Sequence, residues 1–542
     1  MRRHPLARVE QLEHRLALAG LATFTDVDGD TVTVRSTRGT DVELTAALGL
    51  VPAGSMGGMQ LERVNLTASS FARTSLFISA RPSVLGGNGL VDVGEIVTAH
   101  DLGMVNVGGD LGRILAGDGN ESTPGMTSFV VGSLGARSTA TGALDNRSTI
   151  TGSIESIKID GDLTAAVLEV TGRATEIAVG GNVFGFNPYD GILARSIGSI
   201  LVTGGIFGGA TDDSGRVEAR GPGGIGRLRV FGDLTGGVGN NSGQVWSAGP
   251  IGVARIGGAI SGGSGYASGS LYAGGAGITR LIVGADIFGG SNDFAGVVTT
   301  GFIGSAMIGG SIYGGSAQET GRISATRGIG TLEVMGDIQG GAGVLSGSVS
   351  ADLGRIGTVR VRSILAGDGG ISGALSAASL GDVLVRGDMN GSSSQFAHIS
   401  AVGAATPTGP RAIRSLTVRG NMARASVFAG YRLTAPINGA ARVGPVSIGG
   451  SFTASNIVAG VANALAPGVF GNPGDASIGG TGASRIESLV IAGTASGSFD
   501  PAESYGIVAR SIGRVRINGV PYTVPRLGGV APGGDNLLIQ RV

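Results

Sequence analysis

Hydrophobic and polar residues alternate in short segments that return at a nearly constant distance along most of the chain. Six consecutive segments begin at Ile197, Ile225, Ile251, Ile278, Ile303 and Ile329, so they are 28, 26, 27, 25 and 26 residues apart. In the last of them Leu332 and Val334 are apolar, and Thr331 and Glu333 beside them are polar. A period of two residues is typical of a β-strand with one buried face, not of a helix.

The repeat extends in both directions, and each unit contains a second motif. Related segments occur from Leu102 to Ile512, which gives 15 steps with a mean of about 27 residues. Between them lies a shorter motif that opens with a glycine, at Gly215, Gly243, Gly269, Gly321, Gly347 and Gly373. Each unit therefore contains at least two strands, separated by glycine-rich corners.

A unit of this size cannot bury its apolar face alone, but a stack of such units can. We therefore predict an all-β protein, a parallel β-solenoid with coils of about 27 residues that pair with their neighbours about 4.8 Å apart. Trp246 is the only tryptophan, which disfavours the Trp-Asp repeats of a propeller.

The pattern divides the chain into four predicted regions. Residues 1–22 form an N-terminal segment, and residues 23–100 form a small β domain or cap that covers the first coil. The solenoid occupies residues 101–520, and residues 521–542 form a C-terminal cap or tail.

The N-terminal segment contains Leu12, Glu13, Arg15, Leu16 and Leu18. It resembles the LEPR-XLL motif of large bacterial surface proteins, although His14 replaces the usual proline and Ala17 interrupts the leucines. The resemblance covers about a dozen residues and implies a sorting or export role. An ordinary amphipathic helix would show the same spacing of apolar residues.

Acidic residues alternate with uncharged residues at one position of five consecutive coils. The five residues are Asp233, Ala259, Asp286, Ser311 and Asp337. Carboxylates in adjacent coils would repel each other, so the alternation supports the stacking of equal positions.

Composition excludes several classes of function. The chain has 105 Gly in 542 residues, but 42% of residues are hydrophobic and only 14% are charged, which is unlike a disordered chain. A net charge of +0 with scattered basic residues argues against a nucleic-acid partner. No apolar run reaches the roughly 18 residues of a transmembrane helix. The absence of cysteine excludes disulfides and thiolate chemistry.

The most site-like local pattern is a run of alternating acids, Asp26, Asp28 and Asp30. Oxygen-rich loops of this kind bind Ca²⁺, but an EF-hand would need Gly and Glu where Thr31 and Thr37 stand. A turn rich in Asp gives the same pattern. We predict no metal site and no cofactor, and whether these three residues bind calcium stays open. The histidines have no ligand-like spacing; they are His4, His14, His100 and His398.

Catalysis is not predicted, and no catalytic residue is assigned. The longest inserts between coils, near residues 401–410 and 462–484, are rich in Gly, Ala and Pro and almost uncharged, as expected of loops. Few exposed aromatic residues are expected. Outward positions such as Glu218, Trp246, Tyr272 and Ser324 are too mixed for an ice- or mineral-binding face.

Together these observations predict a non-enzymatic, exported structural or adhesive solenoid at the cell surface or outside the cell. Its repeated faces would make many weak contacts with a surface glycan or another surface protein. The alternative is a carbohydrate-active or carbohydrate-binding β-helix of the polysaccharide lyase or hydrolase type, which acids clustered near the inserts would favour.

Overall fold

The structure is a computed structural model. It describes residues 18–54, 57–84, 86–404, 411–463, 468–479, 483–498, 500, 502–524 and 536–542. Residues 1–17 of the predicted N-terminal segment lie outside the described residues. They include four of the five motif residues. Residues 525–535 of the predicted C-terminal tail lie outside them as well.

The predicted fold is confirmed: the chain forms a parallel β-solenoid of about 16 turns with about 26 residues in each coil. It divides into two compact units, Met1–Glu155 and Ser156–Val542. The bounds predicted for the four regions stay predictions.

The first unit begins with antiparallel strands and continues with parallel ones. Gly20–Thr25 pairs antiparallel with Thr31–Ser36, which pairs antiparallel with Leu76–Arg81, whereas Met59–Asn65 pairs parallel with Val93–Val97. Its other strands are Leu48–Pro52, Leu102–Ala116, Pro124–Leu134 and Arg147–Ile150. The strand Ser153–Ile159 contains the boundary between the units.

One short α-helix, Asp41–Ala47, and two 3₁₀ turns, Ser69–Phe71 and Ser138–Thr141, interrupt the strands of this unit. The helix begins with a capping box, in which the Thr40 hydroxyl accepts the Glu43 backbone N–H and the Glu43 carboxylate accepts the Thr40 N–H. Leu44 and Ala47 are its buried residues, so the helix packs one apolar face on the strands.

In the second unit each regular coil has strands on three faces, which we name in the order in which the chain follows them. The first face consists of Ile225–Val230, Ile251–Ile256, Ile278–Val283, Ile303–Ile308, Gly328–Val334, Ile413–Val418, Arg442–Ile448, Arg485–Ile491 and Ser511–Ile517. The antiparallel strand Val520–Tyr522 follows the last of these.

The second face is made of strands of two residues. They are Leu163–Thr164, Val183–Phe184, Ile206–Phe207, Leu234–Thr235, Ile260–Ser261, Ile287–Phe288, Ile312–Tyr313, Ile338–Gln339, Ile364–Leu365, Met389–Asn390, Met422–Ala423, Phe452–Thr453 and Ala495–Ser496.

The third face consists of Arg216–Ala219, Val245–Ser247, Leu271–Ala273, Val297–Thr300, Arg322–Ala325, Ala397–Ala401, Ala425–Ala429, Asn456–Ala459, Tyr505–Ala509 and Leu537–Arg541. Four longer strands continue from the third face into the first face of the next coil. They are Val167–Val179, Gly191–Val202, Ser348–Val361 and Ala374–Val385.

The core lies inside the coils, where equal positions of successive strands stack in register. On the first face, one inward column alternates large and small residues: Leu228, Ala254, Leu281, Ala306 and Leu332. All five are buried. Alternation of this kind lets each leucine fill the space that the neighbouring alanines leave.

A recurring corner connects the second face to the third. In the coil that contains Ser268, its hydroxyl accepts the Gly263 N–H at 3.0 Å and donates to the Gly265 carbonyl at 2.8 Å. The same position holds a buried hydroxyl in other coils, at Ser214, Ser242, Thr320, Ser346 and Ser372. At the turn the glycine N–H has no partner in the next strand, and the hydroxyl accepts it instead. A buried N–H without a partner would destabilise the fold.

The alternating acids belong to a ladder that links successive coils. The Ala259 N–H donates to Asp233 Oδ1 at 2.7 Å, and the Ser311 N–H donates to Asp286 Oδ1 at 2.6 Å. The Asp337 N–H in turn donates to the Ser311 hydroxyl at 3.0 Å. Equal positions therefore lie one coil apart, as the alternation predicts, and these carboxylates have a structural role.

Candidate ligand-binding groove

An outward column on the third face brings two aromatic rings together. The column runs through Glu218, Trp246, Tyr272 and Thr299, which are direct register partners in successive coils. Parallel strands place such partners about 4.8 Å apart, so side chains at equal positions stack. The Trp246 and Tyr272 ring centroids are 5.7 Å apart, and their planes differ by 11°. The two rings form one aromatic surface.

The corner before the third face supplies a second pair of rings. Tyr266 and Phe294 are in contact, with ring centroids 5.6 Å apart and an angle of 66° between the planes. Phe294 has a positive φ of 59°, at the position that Asn241 and Ala267 occupy in the two preceding coils with φ of 53° and 51°. The left-handed backbone of the corner thus places this series of side chains at the edge of the third face.

The stacked rings and the corner residues line a groove of about 270 Å³. Its lining consists of Arg216, Asn241, Gln244, Trp246, Tyr266, Ala267, Ser270, Leu271, Tyr272, Phe294, Val297 and Thr299. A concave surface in which aromatic rings are interspersed with a few polar groups is the usual form of a small-molecule site.

Hydrogen bonds and ion pairs hold the polar groups of the groove in place. The Gln244 amide donates from Nε2 to the Ser270 hydroxyl at 2.8 Å. Arg216 Nη1 lies 2.5 Å from Asp213 Oδ1, and Nη2 lies 3.8 Å from Glu218 Oε2. The groove therefore offers oriented donors beside flat apolar rings, and the carboxylates of Asp213 and Glu218 lie next to Arg216 at its edge.

The three acids singled out in the sequence do come together, in the first unit. Asp26, Asp28 and Asp30 offer carboxylate oxygens within 4.8 Å of one another, at the turn between the first two strands. The Gly29 and Asp30 N–H groups donate to Asp26 Oδ1, and the Gly89 N–H donates to Asp30 Oδ2. Burial and the neighbouring Asp28 raise the pKa of Asp26 to about 6. These contacts account for the cluster as a hydrogen-bonded turn.

Part of the second predicted insert forms strands, whereas residues 405–410 of the first insert and residues 464–467 and 480–482 of the second lie outside the described residues. Two antiparallel ribbons, Tyr431–Arg432 with Ala435–Pro436 and Val461–Asn463 with Asp475–Ser477, follow strands of the third face. Their residues join outward residues of that face in an apolar cluster, which consists of Phe428, Tyr431, Val458, Val461, Phe470 and Val508. Because ribbon residues pack there, the outward positions of these coils are buried.

His398 is buried within this covered part of the solenoid. Its Nε2 lies 3.0 Å from the Leu433 carbonyl, and its ring contacts the edge of Phe428 with centroids 5.0 Å apart. Desolvation lowers the pKa of His398 to about 4, so the imidazole is neutral in the folded protein at neutral pH.

This burial predicts a loss of stability in mild acid. The unfolded chain binds a proton at His398 near pH 6.5, whereas the folded chain binds it only near pH 4, so the stabilising contribution is complete above 6.5 and is lost as the pH falls to 4. We expect a loss of about 3 kcal/mol from this residue, measured as the free energy of unfolding against pH. The variant His398→Ser, which copies its register partner Ser426, should show a shallower fall over the same range. An equal fall in the variant would contradict this assignment.

Sequence reasoning assigned no binding residue, although it placed two residues of the groove on the outward side of the strands. Trp246 and Tyr272 were placed at equal outward positions, which is enough to predict that they are neighbours. Asn241, Tyr266 and Phe294 were missed because the corner has no hydrophobic period. A signal was available, since each corner has a buried Ser or a related residue followed by Gly, and the side chains just before that pair line the groove.

Comparison with known proteins finds no match: no protein family, curated protein or solved structure is similar to this chain at a significant level. None of the helices in the described residues has the length and apolar character that crossing a membrane requires.

Proposed function

We propose that this protein is a non-enzymatic structural and adhesive solenoid of the cell surface or extracellular space, and that its groove binds carbohydrate. The stacked pair of Trp246 and Tyr272 carries the proposal. A sugar ring presents C–H groups on one face and hydroxyls around its edge, so it fits an aromatic surface flanked by amide and guanidinium groups. Asn241, Gln244 and Arg216 provide such groups at the groove.

Further stacked pairs on the second face support the adhesive part of the proposal. Phe184 and Phe207 stack with centroids 5.3 Å apart, and Phe288 and Tyr313 stack with centroids 5.2 Å apart. Each pair consists of outward register partners in adjacent coils. Several aromatic surfaces on one rigid chain can engage a polymer together, so weak contacts add through avidity. The motif resemblance at residues 12–18 supports export to the surface.

The test is a glycan array probed with the full chain and with Trp246→Ala. We expect the wild-type chain to bind at least one glycan and the variant to bind it at least about tenfold more weakly, a loss of about 1.4 kcal/mol or more. Phe302→Ala is the matched control, because it removes an exposed ring of 39% relative exposure outside the groove.

Two results would contradict the proposal. Equal binding by wild type and Trp246→Ala would remove the groove as the site, provided that both unfold at the same temperature. Conversion of a bound glycan to smaller products would show an enzyme and would favour the lyase or hydrolase alternative.

A further inference from the structure

Four arginines lie close together on the outward side of the first face. Arg229 and Arg255 are direct register partners, so their Cα atoms are about 4.8 Å apart. Arg227 and Arg280 both pair with Val253, one from each side, so they lie about 10 Å apart in the neighbouring column. All four side chains are exposed. We call these residues the arginine patch.

Two other outward arginines of this unit have acidic partners, which the patch lacks among the described residues. Arg386 is paired with Glu333 at 2.6 Å, and Arg414 is paired with Asp382. Among the described residues, no acidic side chain lies within ion-pair distance of any arginine of the patch. The guanidinium of Arg229 instead lies 4.2 Å from the centre of the Phe231 ring.

Stability of the fold does not explain this arrangement. Like charges at opposed positions of neighbouring strands repel and destabilise a sheet. The acids nearest in sequence, Asp233 and Asp286, accept backbone N–H groups of the next coil at the end of the first face. A cluster of unpaired charges that costs stability is typical of a functional surface.

We propose that the arginine patch binds an acidic polysaccharide through its carboxylate or sulfate groups. Guanidinium groups bind such oxyanions with two parallel hydrogen bonds. The neighbouring outward residues Ser199 and Ser305 are small, so a linear polymer can lie along the columns and meet successive charges. With a net charge of +0, the chain has no extended positive field of the kind that nucleic-acid binding requires. The patch is on a different face from the groove, and its function does not depend on the groove.

The test compares the wild-type chain with the triple variant Arg227→Ser, Arg255→Thr and Arg280→Ser. These replacements occur naturally at the same columns, at Ser305 and Thr417, so the fold accepts them. The matched control removes three exposed arginines elsewhere: Arg195→Ser, Arg419→Ser and Arg432→Ser. Binding is measured with alginate, dextran sulfate, neutral dextran and duplex DNA at low and physiological salt.

We expect wild type and control to bind alginate or dextran sulfate in a salt-dependent manner and to ignore neutral dextran. The triple variant should bind the acidic polymer at least about tenfold more weakly and unfold at the same temperature or slightly higher. Trp246→Ala should retain this binding, which separates failure of the patch from failure of the groove.

Three outcomes would overturn the inference. The first is no binding of either acidic polysaccharide by the wild-type chain. The second is an equal loss in control and triple variant, which would show that only bulk charge matters. The third is tighter binding of DNA than of either polysaccharide, which would indicate a nucleic-acid partner.

Discussion

Replacing Leu281 by alanine is expected to destabilise the second unit by about 4 to 5 kcal/mol, near the upper end of the range for leucine truncation in a core. Leu281 is fully buried, and its register partners in the adjacent coils are Ala254 and Ala306. The variant would place three alanines in succession in one inward column. The alanine side chains on either side are too small to fill the space, so most of the cavity persists. The loss of free energy of unfolding is therefore close to its maximum for a leucine truncation.

The neighbouring residue provides the control. Ile282 lies on the same strand, points outward and is only partly buried, so Ile282→Ala is expected to cost less than about 1 kcal/mol. Unfolding in guanidinium can be followed by the fluorescence of Trp246, the only tryptophan, which lies two coils earlier. Equal midpoints for the two variants would show that the column is not packed as described.

Replacing Gly269 by alanine is expected to cost more than about 3 kcal/mol, although only one methyl group is added. Gly269 has a φ of +60°, and a Cβ there would lie 1.9 Å from the Ser261 carbonyl oxygen. The positive φ alone costs about 1 to 2 kcal/mol, which the corner tolerates at Ala267 with a φ of 51°. The larger part of the cost comes from the collision with backbone atoms, which cannot rotate away.

Gly370→Ala is the matched control for this substitution. Its φ is not in the left-handed region, and the nearest heavy atom to an added Cβ is Val344 Cγ2 at 4.0 Å. The melting temperature of this variant should equal that of the wild type or rise slightly, because alanine restricts the unfolded chain. A similar loss in Gly269→Ala and Gly370→Ala would refute the steric explanation of the corner.

The alternation along each segment was enough to predict the solenoid. Inward residues such as Leu332 and outward ones such as Glu333 follow from the period of a strand, and the spacing of about 27 residues specifies which strands pair. The proximity of Asp26, Asp28 and Asp30 could also be predicted, because these residues are close in sequence and one tight turn brings their carboxylates together.

The groove and the ribbons were harder to predict. Tyr266 and Phe294 are 28 residues apart and meet at a corner whose backbone conformation depends on a buried hydroxyl and on contacts with adjacent coils. The ribbon Val461–Asn463 with Asp475–Ser477 has few strong strand formers and gains stability from packing on Phe428 and Val508. Such tertiary packing outweighs local propensity.

The corner hydroxyls also have a consequence for how this protein diversifies. The residue two positions before Ser268 and its equivalents differs between coils: it is Asn240, Tyr266, Asp293 and Gln318 in four successive coils. The side chains of Asn240 and Asp293 each accept the backbone N–H of the same position in the next coil. A new side chain at this position therefore changes the surface of its own coil, and where it replaces Asn or Asp it also removes a hydrogen bond to the next coil. Coils can diversify one at a time only where this residue does not link two of them.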